Sequence, residues 1–178
     1  DAYPDKETIK IIADTIENLG TTGKSDCVAL CTSVINSGQI DLAHRRNTFA
    51  KGLLIYDRSV PASEYEKDIF ELNAFSYVGT VMKTETLKKV GLTRKEFFIY
   101  YDDTEHSLRL SKQGSILCIP KAKVYHDAIS DANVNWKTYY GIRNQLVVFK
   151  AYFGKPWLLC VGVQILKALL QPIKGRGP

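Results

Sequence analysis

The chain has 178 residues and a mass of 20.0 kDa; 45% of its residues are hydrophobic and 24% charged, and 24 basic against 19 acidic side chains give a net charge of +5. That balance is globular and excludes a low-complexity or disordered chain, and the length predicts one domain of ordinary size with a small appendage. The mild positive charge suits phosphorylated ligands or an anionic membrane surface; with no nucleic-acid-binding motif in the sequence, no nucleic-acid partner is expected.

Asp1-Ala2-Tyr3-Pro4 leads into a helix predicted over residues 5–19. Pro4 suits a first helical position, Asp5 and Glu7 favour a helix N-terminus, and Ile9, Ile12, Ala13 and Ile16 form an apolar stripe that Gly20 ends. Cys27 to Ile35 is a β-rich apolar run, the pattern of an interior strand. Residues 36–74 read as irregular and polar, with His44, Arg45 and Arg46 inside them and a short strand near Leu53 to Tyr56. A stretch of that length is expected to have a function or to be mobile. Phe75 to Met82 is a predicted strand, broken at Gly79 where another group approaches closely.

Thr84 is predicted to cap a short helix to Val90, and Gly91 ends it. Phe98-Ile99-Tyr100-Tyr101 reads as a short strand that delivers Asp102 and Asp103 to the first turn of a helix closed by Gly114. Two further short strands, Ile116 to Ile119 and Lys123 to His126, lie on either side of Pro120, and long helices follow over residues 135–153 and 156–170. Strands alternating with helices predict an α/β core over residues 1–130 and a helical tail over residues 131–178. The tail helix is apolar but short and holds Gln164 and Lys167. It fits a helix packed on another part of the protein, or one lying at a membrane surface, better than a membrane span.

Cys27, Cys31, Cys118 and Cys160 make no CxxC pair, so they are expected to be reduced core residues of a cytoplasmic protein rather than zinc ligands. The chain starts at Asp1 with no Met and no targeting segment, and ends just past an apolar helix, which reads as a piece of a longer polypeptide.

The paired acids are the strongest chemical signal. Backbone N–H groups at a helix start favour negative charge, so Asp102 and Asp103 are expected to be ionised at neutral pH, and an ionised acid in a crevice suits a general base. The bland alternative is that one Asp caps the helix and the other is solvated. Arg109 lies one turn past Glu105, a favourable pairing. His126 ends a strand, where open α/β sheets place ligands, with a satisfied polar residue as the alternative. His44 is expected at the surface and His106 on a solvated helix face.

Together these pieces resemble the inverting glycosyltransferases of family 2, above all their galactofuranosyl- and rhamnosyltransferase-like members. The resemblance rests on Asp1-Ala2-Tyr3-Pro4-Asp5, Tyr77 to Met82 followed by Thr86 to Leu92, the segment Phe98 to Arg109, Ala122 to His126, and Tyr139-Tyr140-Gly141-Ile142-Arg143-Asn144. It covers roughly residues 1–150, and residues 36–74 match none of its motifs. It implies a partial GT-A type (Rossmann-like) mixed sheet, the acceptor-side half, beginning at the last Asp of the aspartate-rich motif and followed by C-terminal helices. The nucleotide-binding half would lie upstream.

By the same resemblance, Asp103 would be the general base and Asp102 would hold the acceptor. Asp1 and His126 would ligate a divalent metal, Mn²⁺ or Mg²⁺, on the diphosphate. Arg143 would neutralise phosphate or, as an alternative, hold the last helix through an ion pair. The implied partners are a UDP- or dTDP-sugar donor and a glycan or lipid-linked glycan acceptor. The implied setting is bacterial cell-surface polysaccharide synthesis in the cytoplasm, peripheral to the inner face of the cell membrane. Without the upstream half this chain alone would be inactive, and its uncovered sheet edge and Trp157–Leu170 helix are expected to make it self-associate. The rival reading is a non-catalytic membrane-associated interaction module built on the tail helix and residues 36–74.

Overall fold

The computed structural model describes residues 2–21, 26–127 and 136–170. Along the chain, β1 (Ala2–Pro4) and α1 (Thr8–Thr21) precede β2 (Cys27–Asn36) and β3 (Gln39–Ile40). β4 (Arg45–Lys51) and β5 (Leu54–Ser59) form a hairpin, followed by the short strands β6 (Phe70–Leu72), β7 (Ala74–Phe75) and β8 (Thr80–Met82). Then come α2 (Thr84–Val90), α3 (Asp102–Leu110), β9 (Ser115–His126), α4 (Trp136–Phe153) and α5 (Trp157–Leu170).

The apolar run that opens at Cys27 becomes the centre of the main sheet. β2 lies parallel to β9, pairing Leu30 with Leu117, Cys31 with Cys118 and Ile35 with Tyr125. Short antiparallel strands flank this pair end to end: β6 and β1 along β9, β8 and β3 along β2. Every residue of β2 except Asn36 is buried, as expected of a strand covered on both faces. Ile12 of α1 packs with Leu30, Leu117 and Ile119 on one face, while Leu110 of α3 packs with Ala29, Cys31, Ile116 and Cys118 on the other. A register shift between Cys27 and Ala29 lets Cys27 join the α1 side although Val28 and Ala29 both lie on the α3 side. Cys27, Cys31 and Cys118 are buried and free, and Cys160 is half-buried and free.

Residues 36–74, expected to be irregular apart from a short strand near Leu53 to Tyr56, hold that strand as β5 and add β3, β4 and β6. Ser37 and Gly38, both at positive φ (49° and 78°), make the two-residue turn from β2 into β3. Gly52 (φ 60°) turns β4 into β5, and β7 pairs with the other edge of β4 to complete a second, three-stranded sheet. Arg45 is not a surface charge: it is fully buried, and its guanidinium donates to the carbonyls of Thr32 (2.9 Å), His44 (2.8 Å) and Val78 (2.7 Å). It thereby ties β2 to the loop before β8.

Other boundaries shift for local reasons. Pro4 lies in β1, and α1 starts at Thr8, whose hydroxyl donates to Lys123 O (2.6 Å). The predicted strand over residues 75–82 is two strands separated by a turn at Gly79, where a β-carbon would stand 2.1 Å from Thr32 Oγ1. The close approach foreseen there is present. The two strands predicted around Pro120 are one, because β9 runs on while its pairing to β2 skips from Ile119 to Lys123. Proline has no N–H to give a ladder, so the pairing breaks there while the strand does not.

The largest departure is at residues 98–101, which form no strand. A short 3₁₀ turn at Lys95–Phe97 is followed by Phe98, Tyr100 and Tyr101 at positive φ (60°, 63° and 63°). α3 then starts at Asp102 as expected, and Arg109 Nε donates to Glu105 Oε2 at 3.0 Å. α4 packs Val148 and Phe149 against Phe97 and Leu108, with Trp157 and Cys160 of α5 on the same cluster. No helix among the described residues is long and apolar enough to cross a membrane.

Candidate active site

Asp102 and Asp103 open α3 at the edge of a cavity of about 410 Å³, lined by Arg46, Ile99, Tyr100, Tyr101, Thr104 and Gly141 besides the two acids. Asp103 Oδ1 accepts from the Thr104 N–H (2.7 Å) and the Thr104 hydroxyl (3.3 Å). Burial first, and then the neighbouring Asp102, raise the Asp103 pKa above the ordinary aspartate value; the Thr104 bonds and Arg46 offset part of that. A carboxylate raised in this way is a stronger proton acceptor than a solvated one.

The loop that brings the acids to the cavity is strained, each positive-φ residue other than glycine costing on the order of 1–3 kcal/mol. Asn144, fully buried on α4, holds it. Its amide nitrogen donates to the carbonyls of Phe97 (2.8 Å), Ile99 (2.9 Å) and Tyr100 (2.9 Å). Arg143 Nη1 donates to Asn144 Oδ1 (2.8 Å) and to Glu96 O (3.0 Å), fixing the amide's orientation. In an extended strand successive carbonyls alternate in direction; here they converge on one side chain, so the segment cannot be extended.

The opposite wall comes from the second sheet. Arg46 of β4 donates to Asp57 Oδ2 of β5 (2.7 Å) and to Thr104 Oγ1 (3.3 Å). The Tyr101 hydroxyl donates to Asp57 Oδ2 (3.1 Å) and accepts from Gln145 (2.6 Å). Asp57 thus joins the cavity's cation to its aromatic wall. Burial raises the Tyr101 pKa, and the Asp57 charge adds to the shift, so the hydroxyl stays protonated.

His126 ends β9 opposite Ala2, its ring meeting His44 edge-on with centroids 5.5 Å apart. His126 Nδ1 is buried and has no hydrogen-bond partner among the described residues. His44 is half-buried rather than a surface residue, its Nδ1 against Ser76 Oγ at 2.5 Å and its Nε2 3.5 Å from Asp41. An orphaned buried imidazole nitrogen fits a metal ligand, although no group of three or more His, Cys, Asp or Glu stands ready to hold a metal among the described residues. Asp1, expected as the second ligand, lies outside the described residues.

No family model matches this chain. It is 33% identical over 79 residues to galactofuranosyltransferase GlfT2 of Mycobacterium tuberculosis, covering 42% of this chain and 12% of the relative. It is 36% identical over 62 residues to GlfT2 of Mycolicibacterium smegmatis, covering 33% of this chain and 10% of the relative. Among solved structures, GalNAc-T7 with UDP, GalNAc and Mn²⁺ superposes with a TM-score of 0.56 at 14% identity, over 87% of this chain and 31% of that one. The fold is that of a GT-A glycosyltransferase. The chain spans about an eighth or less of the length of these curated relatives.

Within the GT-A frame, the structure brings Asp102 and Asp103 to one cavity, and holds His126 at a strand end and Arg143 behind the acidic loop. Arg46, Asp57, Tyr101 and Asn144 were missed as cavity-building residues. The Tyr139 to Asn144 motif and the adjacent arginines were visible in the sequence, but nothing local tied them to Asp103. His106, predicted on a solvated face, is buried: its Nε2–H donates to Gly91 O (3.1 Å) and its Nδ1 accepts from the Tyr77 hydroxyl (2.6 Å). Burial lowers the His106 pKa, with Arg109 adding to the shift, and burial pushes Tyr77 up to about 12. The ring is a neutral strut between α3 and the turns at Tyr77 and Gly91.

Proposed function

We propose that this chain carries the acceptor side of a glycosyltransferase that moves a sugar, with inversion, from a nucleotide-sugar to a glycan or lipid-linked glycan. The observation that carries the reading is Asp103: a half-buried acid, raised in pKa, at a helix start and on a cavity, in a chain related by sequence to galactofuranosyltransferases. Asp103 takes the proton from an acceptor hydroxyl as that oxygen attacks the anomeric carbon. The anomeric C–O bond to the diphosphate breaks on the opposite side, its electron pair leaving on the diphosphate oxygen, so the configuration inverts. Asp102 holds the acceptor by hydrogen bonds.

His126, with its orphaned Nδ1, and Asp1 would hold a divalent metal, and such an ion supplies charge stabilisation to a leaving diphosphate. Mn²⁺ suits a mixed imidazole and carboxylate set at least as well as Mg²⁺. Arg143 is the residue proposed for phosphate; the alternative is an ion pair holding the last helix, and its bonds to Glu96 O and Asn144 support a holding role between α4 and the acidic loop through hydrogen bonds instead. The donor proposed is UDP-galactofuranose, from the sugar in the relatives' names and the UDP in the structural neighbour.

The rival, a non-catalytic membrane-associated module, drew on an irregular segment over residues 36–74. That segment instead supplies Arg46 to the cavity and Asp57 to hold it, which leaves the rival resting on the exposed apolar residues of α5, such as Leu158, Ile165 and Leu169. The test is transfer from UDP-galactofuranose to a glycan by a polypeptide containing this chain, with the anomeric configuration of the product read by NMR. Transfer with inversion is the expected result; retention of configuration removes Asp103 as a base acting on the acceptor, and absence of transfer returns the rival.

A further inference from the structure

Beside the Asp103 cavity the surface is aromatic. Phe98, Trp136 and Tyr139 are 71%, 57% and 66% exposed, values unusual for rings that are packed together. Phe98 contacts Trp136 and Tyr140 (centroids 6.2 and 5.5 Å), and Tyr140 contacts Trp136 and Tyr139 (6.1 and 5.4 Å). Single exposed aromatics need no explanation, but a contiguous patch marks a contact surface.

The patch is continuous with the cavity through two elements. Phe98 and Tyr100 belong to the loop that carries the acids, and Tyr100 lines the cavity while half exposed. Tyr139 and Tyr140 directly precede Gly141, which also lines it. Phe98 is held in a positive-φ conformation whose neighbouring carbonyl, Phe97 O, is tied to buried Asn144, so its ring is presented by a fixed backbone.

We propose that Phe98, Trp136, Tyr139 and Tyr140 form a subsite for sugar rings of the acceptor glycan, next to the ring whose hydroxyl meets Asp103. The proposal rests on the glycosyl-transfer reading of the cavity. The chemistry is that of an amphipathic ligand. A sugar ring has a face of C–H groups bearing partial positive charge, which suits the negative face of an aromatic ring, and a rim of hydroxyls that stays in water or reaches the tyrosine O–H groups. A purely apolar partner would leave those hydroxyls and the open rim unused, whereas a glycan uses both.

The experiment uses indole NMR of this chain, whose tryptophans, Trp136 and Trp157, give one signal each. Trp157 packs against the Phe149 cluster away from the patch and serves as an internal reference. Titration with a galactofuranose tetrasaccharide should move the Trp136 signal and leave Trp157 in place, and methyl galactofuranoside should bind more weakly. Tyr139→Ala, at a largely exposed position, should weaken tetrasaccharide binding about fivefold, the scale of one aromatic contact, while Tyr139→Phe should retain most of it. A stationary Trp136 signal at saturating tetrasaccharide, or equal binding by Tyr139→Ala and the parent chain, overturns the subsite. The transfer assay above is read separately: sugar transfer with a stationary Trp136 signal defeats the subsite alone, and a responsive Trp136 without transfer defeats the glycosyl-transfer reading alone.

Discussion

Asp103 sits between opposing effects. Burial and the Asp102 charge disfavour its ionised form, while the helix start, the Thr104 bonds and Arg46 favour it, and the first pair prevails. A carboxyl whose folded pKa is raised supports the fold fully when protonated, below the unfolded pKa, and loses that support as pH rises through the folded pKa. Asp103→Asn keeps the acceptor atom for the Thr104 N–H and removes the charge. It should therefore show a higher thermal midpoint than the parent chain at neutral pH, with the gap closing as the pH is lowered towards 4, close to the 3.8 of an unperturbed aspartate. In a polypeptide competent for transfer the same change should cut turnover by about 10²–10⁴-fold with donor affinity retained, because the amide cannot take the acceptor's proton. Melting curves across pH and paired turnover and donor-binding measurements check both halves; wild-type turnover would move the base role, with Asp102 the next residue to test. The sequence showed the acidic pair and its helix start, since two acids after an apolar run and before a helical pattern is a local signal. It did not show that Asp103 would be raised in pKa, because burial is a property of the folded chain: Arg46, which lines the same cavity, is distant in sequence.

The acidic loop and α4 act as one unit. Three backbone carbonyls share the Asn144 amide, which holds the strained residues of that loop in place. Asn144→Ala should cost about 2 kcal/mol, since the amide's two N–H donors, shared among three carbonyls, make two hydrogen bonds' worth of contact at on the order of 1 kcal/mol each. Because Val148 and Phe149 still dock α4, the fold should survive. Urea unfolding gives the loss directly, and turnover falling with donor affinity unchanged would place the effect on the loop; full stability and activity would show that the strain is borne elsewhere. Gly79 is a second such junction, at φ 63° with its β-carbon position 2.1 Å from Thr32 Oγ1 and 3.0 Å from Val124 Cγ2. Gly79→Ala should destabilise by roughly 2 kcal/mol or more through overpacking and backbone strain, read from the thermal midpoint; a neutral result would mean that Thr32 and Val124 yield without penalty. The elements that the sequence disclosed were those with apolar runs, a helical pattern or clear stop signals: β2, β5, α1, α2, α3, α4 and α5. Strands of two or three residues such as β3, β6 and β7 are too short for a period, and they form because longer neighbours offer them a ladder. Residues 98–101 misled for the opposite reason, their β-rich aromatic composition being overridden by a tertiary contact from Asn144.

At the scale of the whole molecule, the sheet arrangement explains why one site draws on distant segments. β2 and β9 lie parallel, so the chain between them must cross over, and the crossover carries α3 while Arg46 of β4 lines the far side of its cavity. Class and helix order were legible, but not the flanking of two long strands by four short ones, which depends on pairings far apart in sequence. The sheet also bears on what this chain does alone. On the glycosyl-transfer reading, the described residues offer a cavity for the acceptor, Asp103 as the proposed base and a histidine with an orphaned nitrogen, and the chain covers 31% of the structural neighbour solved with UDP and Mn²⁺. Holding both reactants in place supplies about 7–11 kcal/mol of barrier reduction in well-oriented reactions, and that is lost when one reactant is not held. The 178-residue chain in isolation is therefore expected to give no measurable sugar transfer, even with Mn²⁺ and UDP-galactofuranose in excess, while a longer polypeptide that adds a nucleotide-binding segment transfers. Side-by-side transfer assays on the two proteins decide it. Turnover by the isolated chain at the rate of the longer one would show that the donor is held by residues already present, and would return Arg46 and Arg143 as the first cations to test for the diphosphate.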